Sequence, residues 1–258
     1  MRAVERAPRL ARKLNAVPFH RDRMPRWTVA LALCVVPVRA AVAQAPYRVT
    51  WWDAASVAAG SAIAVIPLVA GLPQGAPPCA PCDPASLPGI DRAALHTFSK
   101  PAGTASHALL VAVAGFAGLA SADGANAAAV RGHVVVFANA LAWTEATTQW
   151  IKVLAHRSRP VLYTSAAPAA ASNRDNRRSF PSGHAAAAFS VATAYLAMAR
   201  REHLPHRARN TVLLFAGATA VAALRVAAGQ HFPTDVVGGA AIGGGVGWLV
   251  ARVHPTAP

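Results

Sequence analysis

Long apolar segments separated by short polar stretches make up most of the chain after residue 50. Each is rich in Ala, Leu, Val and Gly and is bounded by Gly or Pro, a pattern that favours helices over strands. Most approach the ~20 residues that a helix needs to cross a bilayer. Several are short and Ala-rich, so buried helices of a soluble bundle are an alternative. The predicted helices are 55–72, 105–120, 130–151, 184–199, 210–228 and 235–252.

The N-terminal part has a different pattern. Residues 1–26 are basic and interrupted by Pro, without apolar periodicity, which is typical of disorder. A short apolar run at 27–38, followed by an Ala-x-Ala site, resembles a secretory signal peptide, and a membrane anchor is the alternative. We therefore predict a basic N-terminal segment with a signal-like or anchor sequence at 1–45, and a helical domain at 46–258.

Composition and charge favour a membrane protein. Hydrophobic residues make up 54% of the chain and charged residues 14%, which is more apolar than an ordinary soluble domain. The net charge of +15 could suggest a nucleic-acid partner. The basic residues, however, are concentrated in the first 26 residues and between Lys152 and Arg209, and the apolar segments carry almost no charge. This distribution is a membrane pattern, so we expect no nucleic-acid partner.

The charge of one loop predicts the orientation in the membrane. If the loop Arg200–Arg209 is cytoplasmic, Ser182 and His231 lie on the extracytoplasmic side. Counting back through six spans then places residue 50 in the cytoplasm, whereas a cleaved signal peptide would place it outside. We base the orientation on the loop charge and leave the cleavage of the signal-like sequence open.

Two cysteines form a Cys-Ala-Pro-Cys sequence in a Pro-rich stretch, Cys79 and Cys82. A zinc site is disfavoured because a second ligand pair at suitable spacing is missing. A local disulfide or two free thiols are the favoured alternatives, and a redox role ranks third.

Three clusters of basic residues and histidines lie at the ends of consecutive predicted helices. In the first, Lys152 and Arg159 are seven residues apart, which would place both side chains on one helix face, two turns apart. Pro160 would then end that helix. The alternative is a cationic helix end that lies against lipid headgroups.

The second cluster is Pro-Ser-Gly-His at residues 181–184, directly before an apolar segment. At the start of a helix the free N–H groups and the dipole favour an anion. Ser182 adds a hydroxyl, Gly183 permits close approach to the main chain, and His184 can carry a proton near neutral pH. The alternative is an ordinary helix cap.

The third cluster contains Arg225, a charge inside an apolar helix, where charges are costly and often functional. His231 and Asp235 follow, four residues apart at the start of the last helix. That spacing lets the carboxylate accept a proton from one ring nitrogen and leaves the other nitrogen free to act as a base or nucleophile. The alternative is an Asp favoured by the helix dipole beside a structural His.

Together, these three clusters resemble the signature of the type-two phosphatidic acid phosphatase and vanadium haloperoxidase superfamily. The matching patterns are Lys-x6-Arg-Pro, Pro-Ser-Gly-His and Arg-x5-His-x3-Asp, in this order, within residues 130–252. The resemblance implies an all-α fold, a six-helix bundle that is transmembrane here, with an active site built from helix ends.

The resemblance also implies roles for the residues of the signature. His231 would attack phosphorus to form a phosphohistidine, with Asp235 orienting its ring. His184 would protonate the leaving oxygen and then activate water. The remaining residues would hold the phosphoryl oxygens: Lys152, Arg159, Ser182, Gly183 and Arg225. The family has Ser before the third-cluster Arg, whereas this chain has Leu224, which removes one hydroxyl contact.

We therefore expect a metal-independent membrane phosphatase without a cofactor, acting on a lipid phosphomonoester or an isoprenyl diphosphate. Its location would be the bacterial inner membrane, with the site facing the periplasm. Alternatives are a soluble exported acid phosphatase, a haloperoxidase that binds vanadate, and a non-catalytic anion-binding scaffold or transporter.

Residues outside the signature have weaker interpretations. The arginines before the second cluster could bind a second phosphate or form a solvated loop: Arg174, Arg177 and Arg178. Glu145 and Asn139 are interpreted as buried hydrogen-bond partners. Histidines without a spacing partner are interpreted as structural or exposed: His96, His107, His133, His156 and His206. Trp51 and Trp52 are interpreted as an interfacial anchor.

Overall fold

The computed structural model describes residues 46–256. The predicted basic segment and signal-like sequence at 1–45 lie outside the described residues. The division of the chain at residue 46 stays a prediction.

Six long helices form the described part of the chain, and each overlaps one of the predicted segments. Two single-turn α-helices lie in the connections, and the described residues contain no strands. The all-α prediction is therefore confirmed. In chain order the helices are α1 (Trp51–Val69), α2 (Gly89–Arg92), α3 (Lys100–Ala122), α4 (Ala127–Ala155), α5 (Ala167–Ala170), α6 (Gly183–Arg201), α7 (Arg207–Ala227) and α8 (Pro233–Val253).

Helix α6 is the central helix, because it packs against α3, α4, α7 and α8. Its contact with α8 depends on glycines spaced four residues apart. A Cβ at Gly239 would lie 2.4 Å from the Ser182 carbonyl oxygen, and one at Gly243 would lie 1.9 Å from that of Ala186. Since neither distance leaves room for a side chain, the two backbones approach closely.

The end of α4 corrects the sequence analysis. The helix stops at Ala155, and His156 adopts a left-handed conformation with φ of 48°. Arg159 therefore lies in an extended segment before Pro160, where helical geometry is disfavoured. The prediction that Lys152 and Arg159 share one helix face is wrong, although both side chains reach the same cavity.

Among the described residues, four helices are long and apolar enough to cross a membrane: α1, α3, α7 and α8. Their outward surfaces carry large exposed apolar side chains, such as Val69, 81% exposed, and Leu119, 75% exposed. Trp51 and Trp52 are both exposed at the start of α1. These features fit a membrane protein.

The connection between α1 and α3 contains a disulfide between Cys79 and Cys82, which decides between the two favoured alternatives for these cysteines. The Cys82 N–H donates to the Leu162 carbonyl oxygen at 2.8 Å. The Cys82 Sγ lies 3.9 Å from the Ser158 Oγ. The disulfide therefore packs against the segment that follows α4 and carries Arg159.

Candidate active site

One end of the bundle encloses a cavity of about 820 Å³. Helices α4 and α7 end there, and α3, α6 and α8 begin there. The cavity brings together six of the eight predicted site residues: Lys152, Arg159, Gly183, His184, Arg225 and His231. The other two, Ser182 and Asp235, are fully buried at the starts of α6 and α8.

The hydrogen bond that His231 makes determines which of its ring nitrogens is free. Its Nδ1 lies 2.8 Å from the Ser179 carbonyl oxygen. A carbonyl oxygen can only accept, so Nδ1 carries the proton and Nε2 keeps its lone pair. Burial lowers the pKa of His231 to about 3, with Arg159 and Lys152 also lowering it, while Asp235 opposes the shift. The ring is therefore neutral at physiological pH.

Asp235 acts on His231 through an intermediate residue. Its Oδ2 lies 3.7 Å from the His231 Nδ1, beyond hydrogen-bond distance. The same oxygen accepts from the Ser179 Oγ at 2.5 Å and from the Phe232 N–H at 2.8 Å. The expected direct contact is thus replaced by a relay, in which Asp235 holds Ser179 and the Ser179 carbonyl orients the ring. The bond to Phe232 also caps the start of α8.

Arg157 connects two fully buried carboxylates and was missed by the sequence analysis. It donates to the Asp235 Oδ1 and to the Asp91 Oδ2, both at 2.6 Å. Asp91 also accepts from the Thr234 N–H at 3.0 Å. The start of α8 is thereby fixed to α2. The position of Arg157 inside the first basic cluster could have identified it as a site residue. No sequence pattern could have identified Asp91, because it is 144 residues from Asp235.

The three predicted phosphate-binding cations all line the cavity. Lys152 donates to the Arg178 carbonyl oxygen at 3.5 Å. The Arg159 guanidinium pairs with Asp175 at 2.6 Å. Arg225 donates to the Ser106 Oγ at 3.3 Å, and its buried Nε has no hydrogen-bond partner within residues 46–256. The lining contains four cations and two carboxylates, which leaves an excess of positive charge for an anion: Lys100, Lys152, Arg159 and Arg225, with Glu145 and Asp175.

The Pro-Ser-Gly-His segment forms the start of α6, as predicted. Ser182 is the N-cap, and its Oγ accepts from the Ala185 N–H at 3.5 Å. Gly183 and His184 form part of the cavity wall. The N-terminus of α6 therefore faces a cavity that already carries excess positive charge, an arrangement that suits a phosphate or a similar anion.

Comparison with protein families agrees with this geometry. Residues 133–258 match the family model of the PAP2 superfamily. The match is consistent with a member of the PAP2 superfamily. The family suggests phosphatase-type activity on phosphate esters. Searches of curated proteins and of solved structures gave no match.

Within the candidate site, His184 has a partner that the sequence analysis missed. Its Nε2 lies 2.8 Å from the Nδ1 of His107, which had been interpreted as structural or exposed. His107 lies on α3, outside the residues that match the family, and lines the same cavity. The 77 residues between the two histidines explain why no sequence spacing indicated the contact.

Other polar residues support the walls of the candidate site. Arg177 donates to the carbonyl oxygens of Pro73 and Gln74 at 3.0 and 3.1 Å, which fixes the segment after α1. Arg178 donates to Gln149, which in turn donates to Glu145. Arg177 and Arg178 are buried, so the solvated-loop alternative fails for both, while Arg174 is exposed.

Two further features of the candidate site are position 224 and the question of metal ligands. Leu224 is half-buried on α7, next to Arg225, whose guanidinium finds its hydroxyl partner in Ser106. Among residues 46–256, no group of three or more His, Cys, Asp or Glu side chains is arranged to hold a metal ion. The groups that could bind a ligand are cations, N–H groups and histidines.

Proposed function

We propose that this protein is an integral membrane phosphatase that hydrolyses a lipid phosphomonoester or an isoprenyl diphosphate through a phosphohistidine. The observation that carries the proposal is the fixed tautomer of His231. Its Nδ1 proton is bound to the Ser179 carbonyl, which leaves a lone pair on Nε2 in a cavity lined by cations. A neutral imidazole beside bound phosphate is a suitable nucleophile.

In the first step, the Nε2 of His231 attacks phosphorus and forms a P–N bond as the bond to the leaving oxygen breaks. His184 gives that oxygen a proton. Charge spreads over the phosphoryl oxygens in the transition state, and Lys152, Arg159 and Arg225 stabilise it electrostatically. The N–H groups at the start of α6 add donors to the same oxygens.

In the second step, neutral His184 accepts a proton from water as the water oxygen attacks phosphorus. The P–N bond breaks, its electron pair returns to the His231 ring, and inorganic phosphate leaves. Because three side-chain cations supply the positive charge in both steps, the proposed mechanism requires no metal ion or other cofactor.

The position of the site supports an extracytoplasmic orientation. The basic loop between α6 and α7 lies at the opposite end of the bundle from the cavity, where the positive-inside rule favours the cytoplasm. The Cys79–Cys82 disulfide lies on the cavity side, and disulfides persist in oxidising compartments. We therefore propose a bacterial inner-membrane protein whose site faces the periplasm.

A trapping experiment with purified protein in detergent tests the mechanism. Phosphatidic acid labelled with ³²P should release phosphate in the presence of EDTA. Acid-labile, base-stable label should appear on the protein after a rapid quench. His231→Ala should abolish both signals.

The outcomes of this experiment are distinct. Phosphate release that survives in His231→Ala overturns the proposed nucleophile. Activity that requires vanadate and peroxide, without phosphate release, overturns the proposed reaction in favour of a haloperoxidase.

A further inference from the structure

The histidine of α3 is close enough to the predicted general acid to share a proton with it. The Nδ1 of His107 and the Nε2 of His184 are 2.8 Å apart, which is a hydrogen-bond distance between nitrogens. The rings meet edge to face, with centroids 4.4 Å apart and planes at 77°. One nitrogen must therefore donate and the other accept.

This contact limits the charge of the pair. If both facing nitrogens carried a proton, neither could accept, and two cations would face each other at short range. The hydrogen-bonded pair therefore holds at most one excess proton, and the two rings titrate as a unit. Neither histidine has a carboxylate within ion-pair distance among the described residues. Each ring thus has the other as its hydrogen-bond partner in the site.

The position of the pair places it on the leaving-group side, given the proposed function. In-line attack by His231 expels the leaving oxygen toward His184, the predicted acid. His107 lies beside His184 and on the same cavity-facing strip of α3 as Lys100 and Thr104. Helix α3 lies outside the residues that match the family, so this wall is a feature of the N-terminal half of the chain.

We propose that His107 and His184 act as one proton-sharing pair in leaving-group departure, with His107 as the positioning residue. The bound phosphate anion offsets the burial and the neighbouring cations that lower the pKa of His184 to about 3, so the pair enters the reaction with one excess proton. It gives this proton to the leaving oxygen as the P–O bond breaks. It regains one proton from water as the new P–O bond forms and the bond to His231 breaks. The inference rests on the proposed function.

The test compares two esters that differ in their need for a proton. The leaving group of octyl phosphate is an alkoxide, which requires protonation. The leaving group of an octyl-substituted 4-nitrophenyl phosphate is a stable nitrophenolate, which does not. General acid catalysis contributes about 10²- to 10⁴-fold, and His184 remains present in the variant. His107→Ala should therefore lower kcat for octyl phosphate by roughly 10- to 100-fold. Its kcat for the nitrophenyl ester should change by less than about 3-fold.

Two further variants complete the test. His107→Asn places an amide near the position of Nδ1 and keeps a hydrogen bond, but it cannot carry the proton, so octyl phosphate hydrolysis should stay slow. His96→Ala is the matched control, because His96 is exposed and does not line the cavity. It should behave as wild type with both esters. Thermal unfolding of each variant checks that the fold is retained.

The outcomes separate the two proposals. Equal losses on both esters, no loss on either, or full rescue by His107→Asn overturns the pair while leaving the phosphatase intact. If wild-type protein cleaves neither ester, or if His231→Ala still cleaves them, the proposed function fails and the pair fails with it.

Discussion

Each end of the helical bundle buries a histidine close to a carboxylate, but the two arrangements differ. At the end opposite the cavity, the Nε2 of His133 lies 2.7 Å from the Glu202 Oε2, and the Nδ1 of His133 is buried without a partner. At the cavity end, the Asp235 carboxylate is 3.7 Å from His231, and its oxygens are occupied by Arg157, Ser179 and the α8 backbone.

The difference shows how a buried histidine can be made reactive or structural. At His133 the carboxylate pairs directly with the ring, and the contact joins α4 to the end of α6. At His231 a backbone carbonyl fixes the tautomer, and burial together with nearby cations disfavours a protonated ring. A pair of residue types that looks similar in both places therefore supports packing at one end and chemistry at the other.

The largest expected effect separates the two histidines. His231→Gln should reduce phosphate release by at least about 10³-fold, because the nucleophile is removed. His133→Gln should stay close to the wild-type rate, since its amide can still donate to Glu202. Steady-state phosphate release in detergent measures both. A comparable loss of phosphate release in the two variants would contradict this distinction, because the reaction would then require both ends of the bundle.

The next prediction concerns the cation that occupies the Asp235 carboxylate. Arg157→Ala leaves Asp91 and Asp235 buried without their shared partner, which should cost about 3–5 kcal/mol of unfolding free energy and remove activity. Arg201→Ala is the control at the opposite end. Arg201 lies over the Tyr47 ring at 5.6 Å, so its loss should cost about 1 kcal/mol or less. Thermal unfolding measures the loss of stability in both variants. Equal shifts of the unfolding temperature would contradict the role of Arg157.

The contact between α6 and α8 links the two ends and should be sensitive to one methyl group. Gly243→Ala places a Cβ 1.9 Å from the Ala186 carbonyl oxygen and should destabilise the protein by about 1–3 kcal/mol. Gly245→Ala meets no atom within 4 Å and should be neutral or slightly stabilising. The midpoints of thermal unfolding compare them. If Gly243→Ala unfolds at a temperature no lower than that of Gly245→Ala, the close packing of α6 against α8 is wrong.

The last prediction is a pH dependence of stability, which is at most about 1.4 kcal/mol over the first pH unit below 6.5. The pKa of His231 is about 3 in the folded protein and about 6.5 in an unfolded chain, so the unfolded state binds more protons between these values. The contribution of His231 is complete above pH 6.5 and is lost toward pH 3, by up to about 1.4 kcal/mol per pH unit. The unfolding temperature of wild type should therefore fall more steeply below pH 6.5 than that of His231→Gln. Parallel curves would contradict the buried neutral ring.

The pattern of apolar segments was enough to predict the helices. Each segment has to remove its apolar side chains from water, and it does so as a helix. The Pro-Ser-Gly-His segment was also placed correctly at a helix start, because cap residues and the apolar run after them are local signals. The shared helix face of Lys152 and Arg159 was wrong. It assumed that helical geometry continued up to Pro160, whereas the helix ends at Ala155.

The sequence by itself determined the helical class of the fold, the apolar surface and the signature residues, because periodicity, composition and short motifs are local properties. The tertiary structure decided which groups meet. It placed Arg157 between Asp91 and Asp235, put a Ser179 carbonyl on His231, and brought His107 to His184. These contacts join residues up to 78 positions apart in the sequence. Helix packing creates them, so no spacing along the chain could have shown them.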